Sequence, residues 1–223
     1  MGKIIISFMA IGLVLALIGG GTWAYFSDTE TSTGNTFTAG TLNLVPSTSG
    51  TGPVGKYAVT AGGDGINGNV VFSNIGPGDL GSITWTLQNT GTLAGNLTMA
   101  SVATFSENGT NEPESAAIAS NGGVDLGLGD LMGVRLKCGV TYILGDASNY
   151  VPFSSLAAVL NAQNQSLAAS GSLTYALEWQ IATDVKGAGV DGKFGTADDV
   201  QVDDNIIQGD TGTVDITFTL TQS

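Results

Sequence analysis

The sequence has 223 residues, with 6 Lys or Arg, 19 Asp or Glu, no histidine and one cysteine, and its formal net charge at pH 7 is −13. This charge argues against nucleic acid as a partner. The missing histidine excludes Ser-His-Asp and Cys-His catalysis and HExxH zinc sites, and the lone Cys138 excludes an intrachain disulfide. We therefore predict a protein that is not an enzyme and has no organic cofactor, with an acidic surface that suits an extracellular location or divalent cations.

Residues 1–24 have the three parts of a secretory signal. Lys3 is the only charge before an uncharged run over residues 4–18, and three glycines then end any helix. Thr22 and Ala24 place small residues at −3 and −1, so we predict a hydrophobic leader helix that a signal peptidase cuts between Ala24 and Tyr25. A retained anchor is the alternative, although the apolar run is shorter than the roughly 20 residues that a membrane span needs. Pilin-type cleavage before the apolar run is a second alternative.

The next stretch, residues 25–36, reads YFSDTETSTGNT. Its threonines and two leading aromatics favour extended backbone, but its low apolar content predicts a flexible tail when it is alone. A strand is predicted over residues 36–45, with Gly40 marking a bulge or kink. A loop containing a short strand at 54–60 is predicted over residues 46–68.

Alternating apolar and polar residues predict most of the remaining strands. We predict strands over residues 69–73, 82–88, 93–105, 134–144, 173–181 and 214–220. A short helix is predicted from a cap at Ser154 or Ser155 through Ala162. Polar insertions are predicted over 106–130 and 184–205, and Cys138 is expected to be a buried, inert thiol. Together these elements predict an all-β fold, a single antiparallel sandwich over residues 37–223.

Three stretches resemble the TasA/camelysin (CalY) family. They are GTWAYFSDTETSTGNTFTAGTLNL at the leader junction, VVFSNIGPGDLGSITWTLQNTGTLAGNLTM in the middle and NIIQGDTGTVDITFTLTQS at the end. The resemblance implies a jelly-roll-like sandwich that is exported to the cell surface after a dedicated signal peptidase has cut the leader. It also implies subunits that polymerise into biofilm-matrix fibres in bacteria or bundling pili in archaea.

In such fibres the freed N-terminal segment completes the sheet of the next subunit. For this chain, the resemblance therefore implies that the partners are identical subunits. It also implies that the chain contacts the membrane only through the uncleaved leader. The donor residues would be Tyr25, Phe26, Asp28, Thr29, Thr31, Thr33 and Phe37. Some family members have been described as metalloproteases, but this sequence has no histidine and no recognisable zinc motif, so that activity is not carried over.

An acidic loop over residues 184–205 is a candidate calcium site, because glycines between carboxylates let a backbone bend around a cation. The candidate ligands are Asp184, Asp191, Asp198, Asp199, Asp203 and Asp204. Among them Asp191, Asp198 and Asp199 are the first choice, although the spacing lacks the terminal Glu of an EF-hand. A solvated acidic loop is the alternative. Asp64, Asn67 and Asn69 form a weaker second candidate.

Three triplets match the glycosylation acceptor pattern, at Asn96, Asn108 and Asn164. Three functions are thus compared: a structural subunit of an extracellular filament, a monomeric calcium-binding cell-surface or adhesion domain, and a secreted protease. The third needs a nucleophile–base pair or an aspartic dyad, and no such pattern is present. The first is the function that we predict.

Overall fold

The computed structural model describes residues 40–53, 56–61, 67–107 and 113–222. It is mostly β, with 48% strand and 14% helix. The strands are β1 (Leu44–Thr51), β2 (Tyr57–Ala61), β3 (Asn67–Ser73), β4 (Leu80–Asn89), β5 (Gly95–Ser106), β6 (Gly133–Cys138), β7 (Thr141–Leu144), β8 (Val151–Pro152), β9 (Asn164–Leu167), β10 (Ser172–Gln180), β11 (Lys186–Gly187), β12 (Val200–Gln201) and β13 (Thr211–Gln222). The helices are α1 (Glu114–Ser120), α2 (Leu128–Leu131) and α3 (Leu156–Asn161), with 3-10 turns at Phe153–Ser155 and Asp204–Ile207.

Two sheets contain most of these strands. The first has the order β1-β4-β10-β6-β7, with β8 beside β6, and the second has the order β2-β3-β13-β5-β9. All pairings are antiparallel, and four of them are nested along the chain: β3 with β13, β4 with β10, β5 with β9 and β6 with β7. A ribbon paired in this way and folded across two sheets is the topology of a jelly roll. The all-β sandwich predicted from the sequence is confirmed.

The core lies between the two sheets and consists of the inward-facing residues of each strand. Ile83, Trp85 and Leu87 of β4 are buried, whereas the residues between them are partly exposed. The Phe72 ring of β3 meets the Trp179 ring of β10 edge-on, with 5.3 Å between the ring centroids. Each buried side chain of this size contributes about 1.5–3 kcal/mol to the free energy of unfolding, so the period-two alternation that predicted these strands also stabilises them.

The first strand lies further along the chain than predicted. Residues 40–43 are not in a strand, and β1 begins at Leu44 and runs to Thr51 through residues predicted as loop. The carbonyl of Thr41 still accepts hydrogen bonds from the N–H groups of Thr92 and Leu93. Pairing with β4 overrides the turn-forming composition of β1, and Pro46 is tolerated because β1 is an edge strand.

The predicted strand over residues 134–144 is instead the hairpin of β6 and β7. The chain turns at Gly139, whose φ of +60° is a conformation that glycine adopts without strain. Val140 lies in the middle of the predicted strand, but it is 95% exposed at this turn. Cys138, predicted to be buried, is half-buried at the end of β6.

The polar insertion predicted over residues 106–130 is partly helical. It contains α1 and α2, and Ala117, Leu128 and Leu131 belong to the core. The predicted helix near residue 155 is confirmed as α3, but Ser155 makes no side-chain capping bond. None of the helices in the described part of the chain has the length and hydrophobicity that a membrane span requires.

Candidate functional sites at the sheet edges and in the acidic loops

The described strands leave four sheet edges, formed by β1 and β7 in one sheet and by β2 and β9 in the other. With eight residues, β1 is the longest of these edge strands and contains no charged side chain. Exposed edges of this kind can pair with another chain unless they are covered or charged. The outer edge of β1 is therefore the candidate surface for strand addition.

A second edge is covered by a side chain. Beyond its pairing with the short β9, strand β5 continues to Ser106. At Ser101, the side-chain amide of Asn161 accepts from the backbone N–H and donates to the backbone carbonyl. Asn161 thus takes the place of a neighbouring strand, and this part of the β5 edge is not open to another chain.

Several predicted site residues lie outside the described residues. They are the cleavage residues Ala24 and Tyr25, the donor residues Phe26, Asp28, Thr29, Thr31, Thr33 and Phe37, and also Asp64 and Asn108. The leader, the donor segment and the use of Asn108 stay predictions.

In the acidic loop, three of the predicted calcium ligands meet around one hydroxyl. Thr196 Oγ1 lies 3.4 Å from Asp191 Oδ1, 2.8 Å from Asp198 Oδ1 and 3.1 Å from Asp199 Oδ1. Backbone N–H groups donate to the same carboxylates, including that of Gly195 to Asp199. The hydroxyl of Thr196 is also the main reason that the pKa of Asp198 is lowered. Calcium binding at this loop stays a prediction.

The other three predicted ligands lie in local turns instead. Asp184 accepts from the side chain of Gln201, Asp203 from the backbone of Asn205, and Asp204 from the backbone N–H of Val185. The six carboxylates are therefore divided between two places rather than gathered at one.

The remaining predicted residues are on strands of the second sheet. Asn164 is exposed at the start of β9, and Asn96 is half-buried in β5. The side-chain amide of Asn69 donates to Asp215 across the β3–β13 pair. Glycosylation at Asn96 and Asn164 stays a prediction, as does a cation at Asn67 and Asn69.

A carboxylate cluster was missed by the sequence reasoning. Glu107, Glu114 and Asp125 each place a carboxylate oxygen within 4.8 Å of the others. Partial burial, contact with Asp210 and the charges of Asp210, Asp125 and Asp130 raise the pKa of Glu107 to about 8. Burial likewise raises the pKa of Asp210, despite its hydrogen bonds with Glu107 and Leu128. Glu107, Glu114 and Asp125 all lie in the predicted polar insertion, but no ligand spacing marks them there, and Asp210 is distant in the sequence.

The strand order and pairing define the class of protein: an all-β sandwich of antiparallel sheets. The family described as camelysin metallo-endopeptidase matches residues 2–128, and the chain belongs to this camelysin/TasA family. The recognition made from the sequence motifs is confirmed. No curated protein matches the chain, and no solved structure does.

Membership of this family indicates a cell-surface or extracellular protein that is related to biofilms. The family description names a metallo-endopeptidase, which does not support the prediction that the chain is not an enzyme. The residues present do not fit a catalytic zinc ion, because such sites use histidine among their ligands and this sequence has none. The cluster that the fold does assemble consists of carboxylates alone, a donor set suited to harder cations.

Proposed function

We propose that the chain is a structural subunit of an extracellular filament that polymerises head to tail by donating its freed N-terminal strand to the next subunit. The observation that carries the proposal is the long, uncharged outer edge of β1 in a member of the camelysin/TasA family. Strand addition to such an edge is a known mode of recognition. A head-to-tail contact that does not close into a ring produces a filament.

Cleavage of the leader controls assembly in this proposal. Before cleavage between Ala24 and Tyr25, the donor segment is held at the membrane by the leader and cannot reach a neighbour. After cleavage, residues 25–36 are free to extend along the acceptor edge. The chain is then a secreted protein whose partners are identical subunits and, during export, a signal peptidase.

Backbone hydrogen bonds alone do not drive the assembly. Each bond contributes about 1 kcal/mol net, whereas ordering a donor residue costs roughly 1–2 kcal/mol. Apolar burial must therefore supply the balance, and Tyr25, Phe26 and Phe37 are the large apolar side chains of the donor region. Each stabilises the contact by about 1.5–3 kcal/mol if it becomes fully buried.

The outer edge of β1 is the acceptor that we favour among the described edges. Its eight residues match more of the 12-residue donor segment than the five of β2 or the four of β7 and β9. Val45 of β1 is a 43% exposed hydrophobic residue that an added strand would cover. All four edge strands lack charged residues, so the length of β1 and not its charge distinguishes it from the others.

The test is electron microscopy and sedimentation of the processed chain. We expect filaments from the natural sequence and a folded, unassembled monomer from the double variant Tyr25→Ser, Phe26→Ser. The matched control is Tyr25→Phe, Phe26→Tyr, which keeps the aromatic area and is expected to assemble. Filaments of normal length from the Ser variant, or a natural chain that stays monomeric at high concentration, would contradict the proposal.

The acceptor edge is tested separately by cross-linking. In a Cys138→Ser background, one cysteine replaces Thr31 in the donor and another replaces Ser47 or Ser49 on β1. Oxidation is expected to produce a ladder of covalent oligomers for at least one of the two pairs. A ladder with cysteines on β9 and none with cysteines on β1 would move the acceptor to the other sheet.

A second candidate function is a monomeric calcium-binding surface or adhesion domain. The convergence of three Asp carboxylates on Thr196 favours it. Sedimentation separates the two functions, because filaments pellet and monomers do not. We do not propose peptidase activity for this chain. If the purified chain hydrolysed casein and a chelator abolished the hydrolysis, peptidase activity would have to be added to its functions.

A further inference from the structure

The polar insertion brings acidic side chains together at one end of the sandwich. Glu107 follows the last residue of β5, Glu114 is the first residue of α1, and Asp125 lies in the loop before α2. Their carboxylate oxygens lie within 4.8 Å of one another. Glu114 is only 1% exposed, whereas Glu107 and Asp125 are exposed, so the cluster has a buried floor and an opening to solvent.

A fourth carboxylate lies against this cluster and is almost completely buried. Asp210, immediately before β13, is 2% exposed. Its Oδ2 accepts from the backbone N–H of Leu128 at 2.9 Å, and its Oδ1 has no hydrogen-bond donor among the described residues. The side chain in contact with it is the carboxyl group of Glu107. Two ionised carboxylates can only accept hydrogen bonds, so this contact needs either a proton on Glu107, whose pKa is raised to about 8, or a cation between the two groups.

No basic side chain supplies that charge. The ion pairs of the described Lys and Arg residues are formed with Asp79, Asp146, Glu178 and Asp184. Glu107, Asp125 and Asp210 therefore have no ion-pair partner within the described part of the chain. For the buried Asp210, a charge beside another carboxylate without a counter-charge is unfavourable.

We propose that Glu107, Glu114 and Asp125 bind a divalent cation, calcium, with Asp210 as the buried carboxylate behind it. Calcium takes six to eight oxygen ligands at about 2.3–2.6 Å, so two oxygens on one ion lie at most about 5 Å apart. The 4.8 Å spacing meets this limit. Carboxylates without histidine or thiolate select calcium or magnesium over zinc, and the open side leaves room for water ligands.

The ion would join segments that are distant in the sequence. It links the end of β5 to α1 and to the loop before α2, close to the start of β13. Because binding occurs only in the folded state, the ion stabilises the chain, and this stabilisation increases with the logarithm of the calcium concentration once it exceeds Kd. The site is independent of the predicted calcium loop around Thr196 and of filament assembly.

The test uses the full chain, stripped with a chelator and titrated calorimetrically with CaCl2, with the melting temperature followed in parallel. We expect calcium binding and a higher melting temperature. The double variant Glu107→Gln, Asp125→Asn alters only exposed carboxylates, and it is expected to weaken binding at this site by about 10-fold to 100-fold. Circular dichroism confirms that the variant is folded.

The matched control is Asp191→Asn, Asp198→Asn, which removes the same charge from the loop around Thr196. Either of two outcomes supports the proposed site. In the first, the natural chain binds two ions and each double variant binds one. In the second, the natural chain binds one ion, which is lost only in the Glu107 and Asp125 variant. The proposal is overturned if the natural chain binds no calcium up to about 10 mM, well above the dissociation constants of extracellular modules. It is also overturned if only the Asp191 and Asp198 substitutions abolish binding.

Discussion

The side chain of Asn161, at the end of α3, hydrogen-bonds both backbone groups of Ser101 in β5, as a paired strand would. Ser101 is one of the few buried polar residues of the sandwich, at 7% exposure. A helix side chain therefore completes the sheet where β9 has ended. Such covering is one way in which proteins prevent strand edges from pairing.

The first prediction follows from this contact. Asn161→Ala leaves the N–H and carbonyl of Ser101 without their partner, and it is expected to lower the free energy of unfolding by about 1–2 kcal/mol. The measurement is urea unfolding followed by tryptophan fluorescence, since Trp85 and Trp179 are buried in the core. The control Asn164→Ala changes an exposed residue of β9 and is expected to have almost no effect. Equal losses in both variants would contradict this account.

The second prediction concerns the turn between β6 and β7. Gly139 has φ of +60° and no atom near an added Cβ, so Gly139→Ala acts through backbone conformation alone. We expect a loss of about 1–2 kcal/mol. Gly76 is a matched control, because an added Cβ also meets nothing there and its φ is not positive. Gly76→Ala is expected to change stability by less than about 0.5 kcal/mol, and a similar cost at both sites would argue against the described turn.

The third prediction tests the burial of the same hairpin. Leu136 of β6 is fully buried, so Leu136→Ala is expected to cost about 2–5 kcal/mol. Val140, four residues further, lies at the exposed turn, and Val140→Ala is expected to cost less than about 0.5 kcal/mol. Thermal unfolding of both variants distinguishes the hairpin from one continuous strand, in which both residues would face the core.

The fourth prediction is a pH dependence. The backbone N–H of Ser148, the side chain and backbone of Asn149 and, more weakly, Lys193 lower the pKa of Asp146 to about 2. Because the pKa is lowered, ionised Asp146 stabilises the folded state at pH values above the ordinary pKa of 3.8. This contribution to stability is lost as the pH falls through about 2.

Carboxyl-carbon NMR titration checks the value directly and should place the midpoint of Asp146 well below that of an ordinary aspartate. In Asp146→Asn the corresponding part of the acid dependence of the melting temperature should disappear. A midpoint near 3.8 would show that the turn at Ser148 and Asn149 does not hold the carboxylate as described.

The sequence predicted the strands whose side chains alternate clearly. β4, β10 and β13 have apolar residues at every second position facing the core, and all three lie within their sheets rather than at the edges. The motifs also predicted the family, which the match over residues 2–128 confirms. In these three strands the alternation of apolar and polar residues was sufficient to predict the strand, because the apolar positions are the ones that are buried.

Elsewhere tertiary contacts overrode the local pattern. Leu136 and Val140 have the same parity, so an alternation argument could not locate the turn at Gly139 between them. The Ser, Thr and Gly content of β1 predicted a loop, but pairing with β4 made it a strand. The contact between Glu107 of the carboxylate cluster and Asp210 joins residues that are distant in the sequence, and no local motif connects them.

The position of β13 has a consequence for how the protein is made. The strand is central in its sheet, between β3 and β5, yet it follows all the other described strands in sequence. Its two neighbours are paired through it, so the hydrophobic interior cannot close before β13 has been made. Pairings between such distant segments form slowly, so we expect the docking of β13 to limit the rate at which the sandwich folds.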